Sequence, residues 1–310
     1  MLVLAARRFG AMVLIMAVIS LILFLIFETD KLAVAGKVLG PYSTIEQREL
    51  WLEQHGYNRP FFVRYGEWVW SALHGDFGTS IRFKVPVSDL LWERLANTGL
   101  LAGLVFLFMI PLSLTLGVLA GMREGSKTDR LISLVSIVTT STPEFASAAF
   151  LVALFVFHLG WLPGTSAMTS GFDPWQLVLP VTVLVLYDFG YVARMTRASM
   201  AEVMTSQYIR TAILKGLPRS RVILVHALRN ALIAPFTVIV LQLNWLLSGV
   251  IVVEVFFAYK GFGSLLYEAA TFGDIFLIEA CTIVAVFVAV FSQFISDIGY
   301  MLLNPRIRFR

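Results

Sequence analysis

Two carboxylates lie inside long apolar runs of the chain. Glu144 falls within residues 131–159, and Asp188 falls within residues 174–193. A charged side chain at the centre of a bilayer costs about 2.5–3.5 kcal/mol on insertion scales, so such groups usually face a bundle interior or a watery cavity. We expect Glu144 to line a translocation path, with a contact to a neighbouring helix as the alternative. Asp188 is the weaker candidate for the path, because it lies only about 9 Å along a helix from Arg194.

Three further acids lie near the ends of apolar runs, where water can reach them. They are Glu254, Glu279 and Asp297. We expect these groups to be solvated easily.

Nucleotide, metal and hydrolase chemistry find little support in the sequence. The segment GMREGSKT, residues 121–128, differs by one residue from a phosphate-binding loop, since Ser126 stands where glycine is needed, and it follows an apolar run rather than a strand. Paired acids or a nucleophile with its base are not apparent, and the histidines lack metal-ligand spacing. The histidines are His55, His74, His158 and His226.

The composition is that of a protein with many membrane spans. Hydrophobic residues make up 58% of the 310 and charged residues only 14%, and the mean hydropathy is +0.81, whereas about a quarter of the residues in soluble domains are charged. Cys281 is the single cysteine, so no intrachain disulfide can form. The basic residues flank the apolar runs and form no tract of the kind that binds nucleic acid.

Six runs are long enough to cross a bilayer, which takes about 20 helical residues. Mid-span prolines such as Pro111 can be tolerated where neighbouring helices satisfy the freed carbonyl. The chain is therefore predicted to be an all-α polytopic membrane protein with six transmembrane helices. The predicted spans are residues 9–27, 97–122, 131–159, 174–193, 231–257 and 275–303.

The distribution of lysine and arginine predicts the orientation of these spans. With the N-terminus inside, the inside segments hold 15 basic residues, and the two short outside loops hold only Lys260. The other eight lie in residues 28–96, a loop too long for the rule. Both termini are therefore expected to be cytoplasmic.

The insert at residues 28–96 is expected to be an extracytoplasmic subdomain. It combines four tryptophans with mixed charges and turn signals, and it could be a cap on the spans or a docking surface. A signal peptide is the alternative for residues 1–27, but three charges between the apolar core and a cleavage-like sequence favour a retained anchor. The predicted domains are thus 1–27, the insert 28–96, a permease core 97–303 and a tail 304–310.

The cytoplasmic loop at residues 197–230 contains a predicted amphipathic helix from Glu202 to Lys215. Gly216 and Pro218 follow it as a helix stop, and Ser220 could cap the next helix. The spacing puts Ile209, Ile213 and Leu217 on one face, with Arg210 and Thr211 away from it. This helix could lie against lipid headgroups or push on a cytoplasmic partner.

Five motifs in order resemble the permease subunits of bacterial ABC importers of the dipeptide, oligopeptide and nickel type. The loop carries YIRTA, KGL and HALRNALI, and the likeness extends over nearly the whole chain. The other motifs are GDFGTS with PV and residues 94–98, VVEVF at the exit of the fifth span, GFG at residues 261–263, and NPRIR at residues 304–308.

The resemblance implies that the loop forms the helix that couples the spans to ATPase subunits. Arg210 stands where the wider importer signature has glutamate, and Ile213 and Leu214 stand where a basic-containing pair is common. The contact with the ATPase is therefore expected to be more apolar than usual. The implied coupling residues are Glu202, Tyr208, Ile209, Arg210, Thr211, Ala212, Lys215 and Gly216.

The resemblance also implies an outer gate, or re-entrant loop, that includes Glu254, Gly261 and Gly263. The implied partners are a homologous second permease, two ATPase subunits or domains, an extracytoplasmic substrate-binding protein and membrane lipid, with no nucleic acid. ATP and Mg²⁺ would bind to the ATPase chains, so this chain would hold no cofactor and would not be an enzyme. It would lie in the bacterial inner membrane.

The sequence does not fix the cargo. Short peptides are the main expectation from the resemblance, with nickel chelates, glutathione and oligosaccharides as alternatives. Departures on the substrate side, at residues 28–31 and at Lys260, weaken any finer assignment. The rival function is a self-sufficient ion-coupled carrier or intramembrane enzyme. Carriers usually show internal repeats and interrupted helices at matching positions, and a requirement for a partner ATPase distinguishes the two.

Overall fold

The computed structural model describes residues 2–248 and 250–303 of the chain. Within these ranges the protein consists of helices joined by turns, with one isolated antiparallel bridge between Thr79 and Pro86. The predicted all-α class is therefore confirmed. The motif at residues 304–308 and the tail 304–310 lie outside the described residues.

Fifteen α-helices and two short π-helical segments follow one another along the described chain. The helices are α1 (Leu2–Glu28), α2 (Lys31–Leu39), α3 (Ile45–Gln54), α4 (Phe61–Leu73), α5 (Val87–Gly121), α6 (Lys127–Ser141), α7 (Glu144–Val152), α8 (Trp175–Met204), α9 (Gln207–Leu214), α10 (Arg219–Arg221), α11 (Leu228–Ala231), α12 (Ile233–Ser248), α13 (Ile251–Phe256), α14 (Phe262–Phe272) and α15 (Ile275–Leu303), and the π segments are Ala153–His158 after α7 and Val222–Ala227 after α10.

Among the described helices, four are each long and apolar enough to cross a membrane, and the number of candidate spans rises to six if two bent pairs each count as one span. The helices are α1, α5, α8 and α15, and α5 runs through Pro111 without a break. The last predicted span, 275–303, coincides with α15. Helix α5 begins ten residues before the predicted second span, at Val87.

The third predicted span, 131–159, is not a single straight helix in the structure. Helix α6 ends at Ser141, and the chain bends by 101° before Glu144–His158. Pro143 disfavours the helical conformation in the residue before it, and Thr142 is accordingly extended at φ −88° and ψ 123°. The fifth predicted span is also interrupted, with a 50° bend at residue 232 and separate helices α12 and α13.

The chain divides into two compact units. One comprises Met1–Thr98 with Lys260–Phe294, and the other comprises Gly99–Tyr259 with Ile295–Arg310. We call them the first unit and the second unit.

In the first unit, α4 of the insert packs on the apolar helix α1. Phe24 of α1 lies 5.4 to 5.7 Å, between ring centroids, from Phe61, Tyr65 and Trp68. These three residues share a helical face, and Arg64 beside them binds both carboxylate oxygens of Glu28 at 2.9 and 2.7 Å. The insert is thus ordered, as its tryptophans and turn residues predicted.

The second unit is built around α8, the most deeply buried of its described helices. Fifteen of the 30 residues of α8 are buried, and they form an apolar core with residues of α5, α7 and α12. Gly117, Gly121 and Gly190 allow close approach of backbones. A methyl group on Gly190 would strike the Ser136 carbonyl of α6, and one on Gly117 would strike α8. Small residues at such points let membrane helices pack tightly.

We expect Gly117→Ala to destabilise the protein. The added Cβ would lie 2.6 Å from the Ala193 carbonyl oxygen and 2.5 Å from Thr196 Cβ, and overpacking of this kind costs about 1–3 kcal/mol. Thermal unfolding of the detergent-solubilised protein should show a lower midpoint. Gly103→Ala on the same helix is the matched control, since its Cβ would meet nothing within 4 Å. Equal midpoints for the two variants would contradict the packing.

Candidate functional site: helix α9 and a buried carboxylate

The prediction of one continuous helix over residues 202–215 is wrong. The structure divides these residues between the end of α8 and the shorter helix α9. Helix α8 extends to Met204, so the exposed Glu202 belongs to α8, and α9 begins at Gln207. The break follows from side chains that bond to local backbone. The Thr205 hydroxyl donates to the Glu202 carbonyl at 2.7 Å, and the Ser206 hydroxyl donates to the Val203 carbonyl at 2.6 Å.

The predicted stop at the end of this helix is confirmed. Gly216 has φ +76°, the left-handed conformation that favours glycine. Pro218 then takes an extended conformation and stands as the N-cap of α10, with Ser220 inside that helix. The predicted capping role of Ser220 is therefore wrong, because proline already fixes the start of the helix two residues earlier.

The inner face of α9 is locked into a small apolar cluster. Ile209 is fully buried and Ala212 nearly so, and Leu217 packs against the same cluster. The predicted face of Ile209, Ile213 and Leu217 is partly wrong, since Ile213 is 55% exposed. The buried residues of α9, Ile209 and Ala212, are therefore three positions apart rather than four. The remaining buried members are Met200, Val222, Ala227 and Ala231.

The opposite side of α9 carries exposed apolar and basic side chains side by side. Leu214 is 79% exposed, and Arg210, Thr211, Lys215 and Gly216 are exposed as well. We call residues 210, 211 and 213–215 the α9 outer face. Tyr208 at its edge is fixed by its hydroxyl, which accepts a hydrogen bond from Asn230 Nδ2 at 2.9 Å. The exposed Leu214 gives this face an apolar side chain, and the contact with an ATPase remains a prediction.

An ion pair that the sequence reasoning did not identify ties α6 to α8 near this loop. Arg197 Nε and Nη2 donate to the two carboxylate oxygens of Asp129 at 3.0 and 2.8 Å. The Asp129 carboxylate also accepts from the Gly125 backbone at 2.9 Å. Ser126 stands where a phosphate-binding loop would need glycine. In the structure its hydroxyl caps α6 by accepting a hydrogen bond from the Asp129 backbone N–H. The pattern of serine followed three residues later by an acid was the available signal.

Asp188 is a fully buried carboxylate at the centre of the second unit's longest described stretch of buried helix, α8. It lines a cavity of about 180 Å³. Glu144, the favoured path residue, is only half-buried and lies close enough to interact with Asp188 electrostatically. The Nε of Arg194, further along α8, donates to the Gly190 carbonyl at 3.3 Å.

The acids near span ends are less solvated than predicted. Glu254 in α13 is fully buried, and Glu279 in α15 is only 8% exposed and accepts from Trp68 Nε1 at 3.2 Å. At Glu279 the neighbouring helix α4 shields the carboxylate from water through the Trp68 indole. The side chain of Asp297 lies outside the described residues.

The predicted outer-gate residues lie on either side of the turn between α13 and α14, with Glu254 inside α13 and Gly261 and Gly263 at the start of α14. Ala258 has φ +55°, and the Tyr259 backbone N–H bonds to the Glu254 carbonyl at 2.8 Å. Burial raises the pKa of the Tyr259 phenol above its ordinary value, and the neighbouring Glu254 charge raises it further. Gly261 is the extended N-cap of α14, and Gly263 is buried in its first turn.

Comparison with known proteins identifies the class of this chain. Residues 113–309 match the family described as the binding-protein-dependent transport system inner membrane component. The chain belongs to this family. It is a transmembrane permease subunit of an ABC importer and a multi-pass protein of the bacterial plasma membrane.

Relatives of this permease are similar over nearly their whole length. It is 34% identical over 279 residues to the oligopeptide transport system permease protein AppB of Bacillus subtilis, with 88% of each chain covered. It is 33% identical over 311 residues to a peptide transport system permease protein of Brucella abortus, with 98% of each covered. It is 31% identical over 305 residues to the glutathione transport system permease protein GsiC of Shigella flexneri, again with 98% of each covered.

Proposed function

We propose that this permease transmits the closure of partner ATPase chains to its spans through the α9 outer face. The observation that carries the proposal is the two-sided character of α9. Its inner residues Ile209 and Ala212 are buried in the permease, while Leu214 and Ile213 are exposed beside two cations. A push on the outer face would therefore move α9 together with α8 and the segment that leads into α12.

The proposed topology places this face in the cytoplasm. Six spans, with each bent pair counted as one, put both termini and the loop 197–230 inside and the insert 28–96 outside. The excess of basic residues in the inside segments supports this arrangement. The domains predicted above, 1–27, 28–96, 97–303 and 304–310, remain our proposal for the organisation of the chain.

The proposed complex contains a homologous second permease, two ATPase subunits or domains and an extracytoplasmic substrate-binding protein. ATP and Mg²⁺ would bind to the ATPase chains, and this chain would carry no catalytic site. Closure of the ATPases can shift the spans between inward and outward states only if ATP and cargo each favour one state. Glu254, Gly261 and Gly263 would contribute to the outer gate.

The proposed cargo is a di- or oligopeptide. The names of the three relatives support a cargo with peptide bonds. Two names contain peptide or oligopeptide transport, and the third name contains glutathione transport. Glutathione itself is the nearest alternative on these names. Nickel chelates and oligosaccharides remain weaker alternatives that rest on the family resemblance alone.

The experiment for this proposal is a mild-detergent pull-down of the tagged chain from its native membrane. We expect a second permease and ATPase subunits to co-purify, with MgATP hydrolysis by the captured complex. Ala212→Pro should abolish the hydrolysis, because proline removes a backbone N–H from the middle of α9 and breaks it. A lone and inactive chain, under conditions that preserve a known importer complex, would instead favour a self-sufficient carrier.

A further inference from the structure

The cavity beside Asp188 is bounded by three helices of the second unit. Thr140 of α6, Tyr187, Asp188 and Tyr191 of α8 and Gln242 of α12 line its volume of about 180 Å³. Hydroxyl, phenol, amide and carboxylate groups thus converge within segments that are otherwise apolar. Small-molecule sites combine an apolar cavity with a few such convergent polar groups.

The Asp188 carboxylate is only half compensated. Its Oδ1 accepts a hydrogen bond from Gln242 Nε2 at 2.6 Å, whereas its buried Oδ2 has no hydrogen-bond partner in the part of the chain that the structure describes. The two arginines further along α8 are engaged elsewhere, Arg194 through its Nε with the Gly190 carbonyl and Arg197 with Asp129. A carboxylate in this position is costly unless a cation or a donor satisfies it.

The chemistry of the cavity favours an organic ammonium over a metal ion or an anion. Described residues contain no group of three histidine, cysteine or acidic side chains that could hold a metal ion. The nearby Glu144 carboxyl group offers no positive charge that could hold an anion. An ammonium offers several donors, which suit Asp188 Oδ2, and it is attracted to the faces of tyrosine rings, which Tyr187 and Tyr191 can supply.

We propose that Asp188 is the centre of a subsite that takes the terminal ammonium group of the cargo during its passage. This inference rests on the proposed function, because it assumes that the cargo is a peptide with a free amino end. Gln242 holds one carboxylate oxygen when the subsite is empty. The free oxygen and the two tyrosines then receive the cargo, and its amino end is held while its carboxylate end stays away from the two acids.

The test measures binding of radiolabelled trialanine and of N-acetyltrialanine to the purified complex without its substrate-binding protein. The wild-type complex should bind trialanine at least about 30-fold more tightly, the size expected when one partner of a buried charge pair is removed. The preference should disappear in Asp188→Asn and persist in part in Asp188→Glu, which keeps the charge. Equal binding of the two peptides, no binding of trialanine, or an unchanged preference in Asp188→Asn would overturn the subsite.

Two further variants separate a ligand site from a structural contact. Gln242→Leu removes the side chain that donates to Asp188, so this variant should bind trialanine more tightly. If the Asp188–Gln242 bond were purely structural, Gln242→Leu would weaken trialanine binding as much as Asp188→Asn does. Glu279→Gln changes a buried carboxylate of the first unit and should leave the preference intact. If ATPase chains co-purify and hydrolyse MgATP but the peptides bind alike, the subsite fails while the proposed function stands. If no ATPase co-purifies, the proposed function itself fails.

Discussion

Replacement of Leu214 by aspartate is expected to abolish ATP-driven transport while the protein still inserts into the membrane. Leu214 is 79% exposed, so its loss should leave the fold of the permease intact. Full burial of a leucine side chain contributes about 1.5–3 kcal/mol, and a loss of about 2 kcal/mol corresponds to about 30-fold in binding. An aspartate would also have to be desolvated there. Uptake into proteoliposomes and ATP hydrolysis, measured on the same preparation, test this result.

Two control variants make the result for Leu214 specific. Thr128→Asp adds the same charge at an exposed position at the start of α6, outside the α9 outer face, and should transport normally. Ile209→Asp places the charge in the buried cluster and should lower the amount of folded protein. Normal transport by Leu214→Asp would show that α9 does not form the proposed contact.

Replacement of Arg197 by methionine is expected to lower the free energy of unfolding strongly. Asp129 is 5% exposed at its side chain, so removal of its cation leaves a nearly buried carboxylate without charge compensation. Breaking a buried pair costs about 3–5 kcal/mol, and the 30% exposure of Arg197 places the expected value near the lower end. The midpoint of thermal unfolding in detergent measures the effect.

A double variant distinguishes the ion pair from simple loss of packing. Asp129→Asn combined with Arg197→Met removes the buried charge together with its partner and should recover most of the lost stability. The interaction free energy from the double-mutant cycle should therefore be large. If the two single losses add independently, the pair does not stabilise the α6–α8 contact.

Periodicity and helix-stop residues were sufficient to predict much of the fold. The 29 residues of α15 lack proline and carry an uninterrupted apolar pattern, so local sequence alone gave the right bounds. The left-handed conformation of Gly216 was also predictable from local sequence, because glycine is the residue that most readily adopts this conformation at the end of a helix. Hydropathy could not predict the 101° bend after Ser141, since proline bends one helix and is tolerated in another, as Pro111 is in α5.

Candidate-site residues were predictable where their roles depend on neighbours in sequence. The loop of α9 was recognised from contiguous motifs, but the burial of Ala212 in place of Ile213 depends on how closely the cluster around Met200 approaches. The surroundings of Asp188 could not be predicted, because distance along one helix to Arg194 says nothing about where that arginine points. Its contact with Gln242 joins residues 54 positions apart, which no local pattern reveals.

The most direct test of the coupling role is photocrosslinking from the α9 outer face in intact cells. A photoreactive amino acid at position 214 should crosslink to an ATPase subunit, identified by mass spectrometry of the product. The same amino acid at position 157, where Phe157 is 82% exposed at the far end of the bent pair, should give no such product. Crosslinks from position 214 to lipid alone, in cells where the complex assembles, would contradict the coupling role of α9.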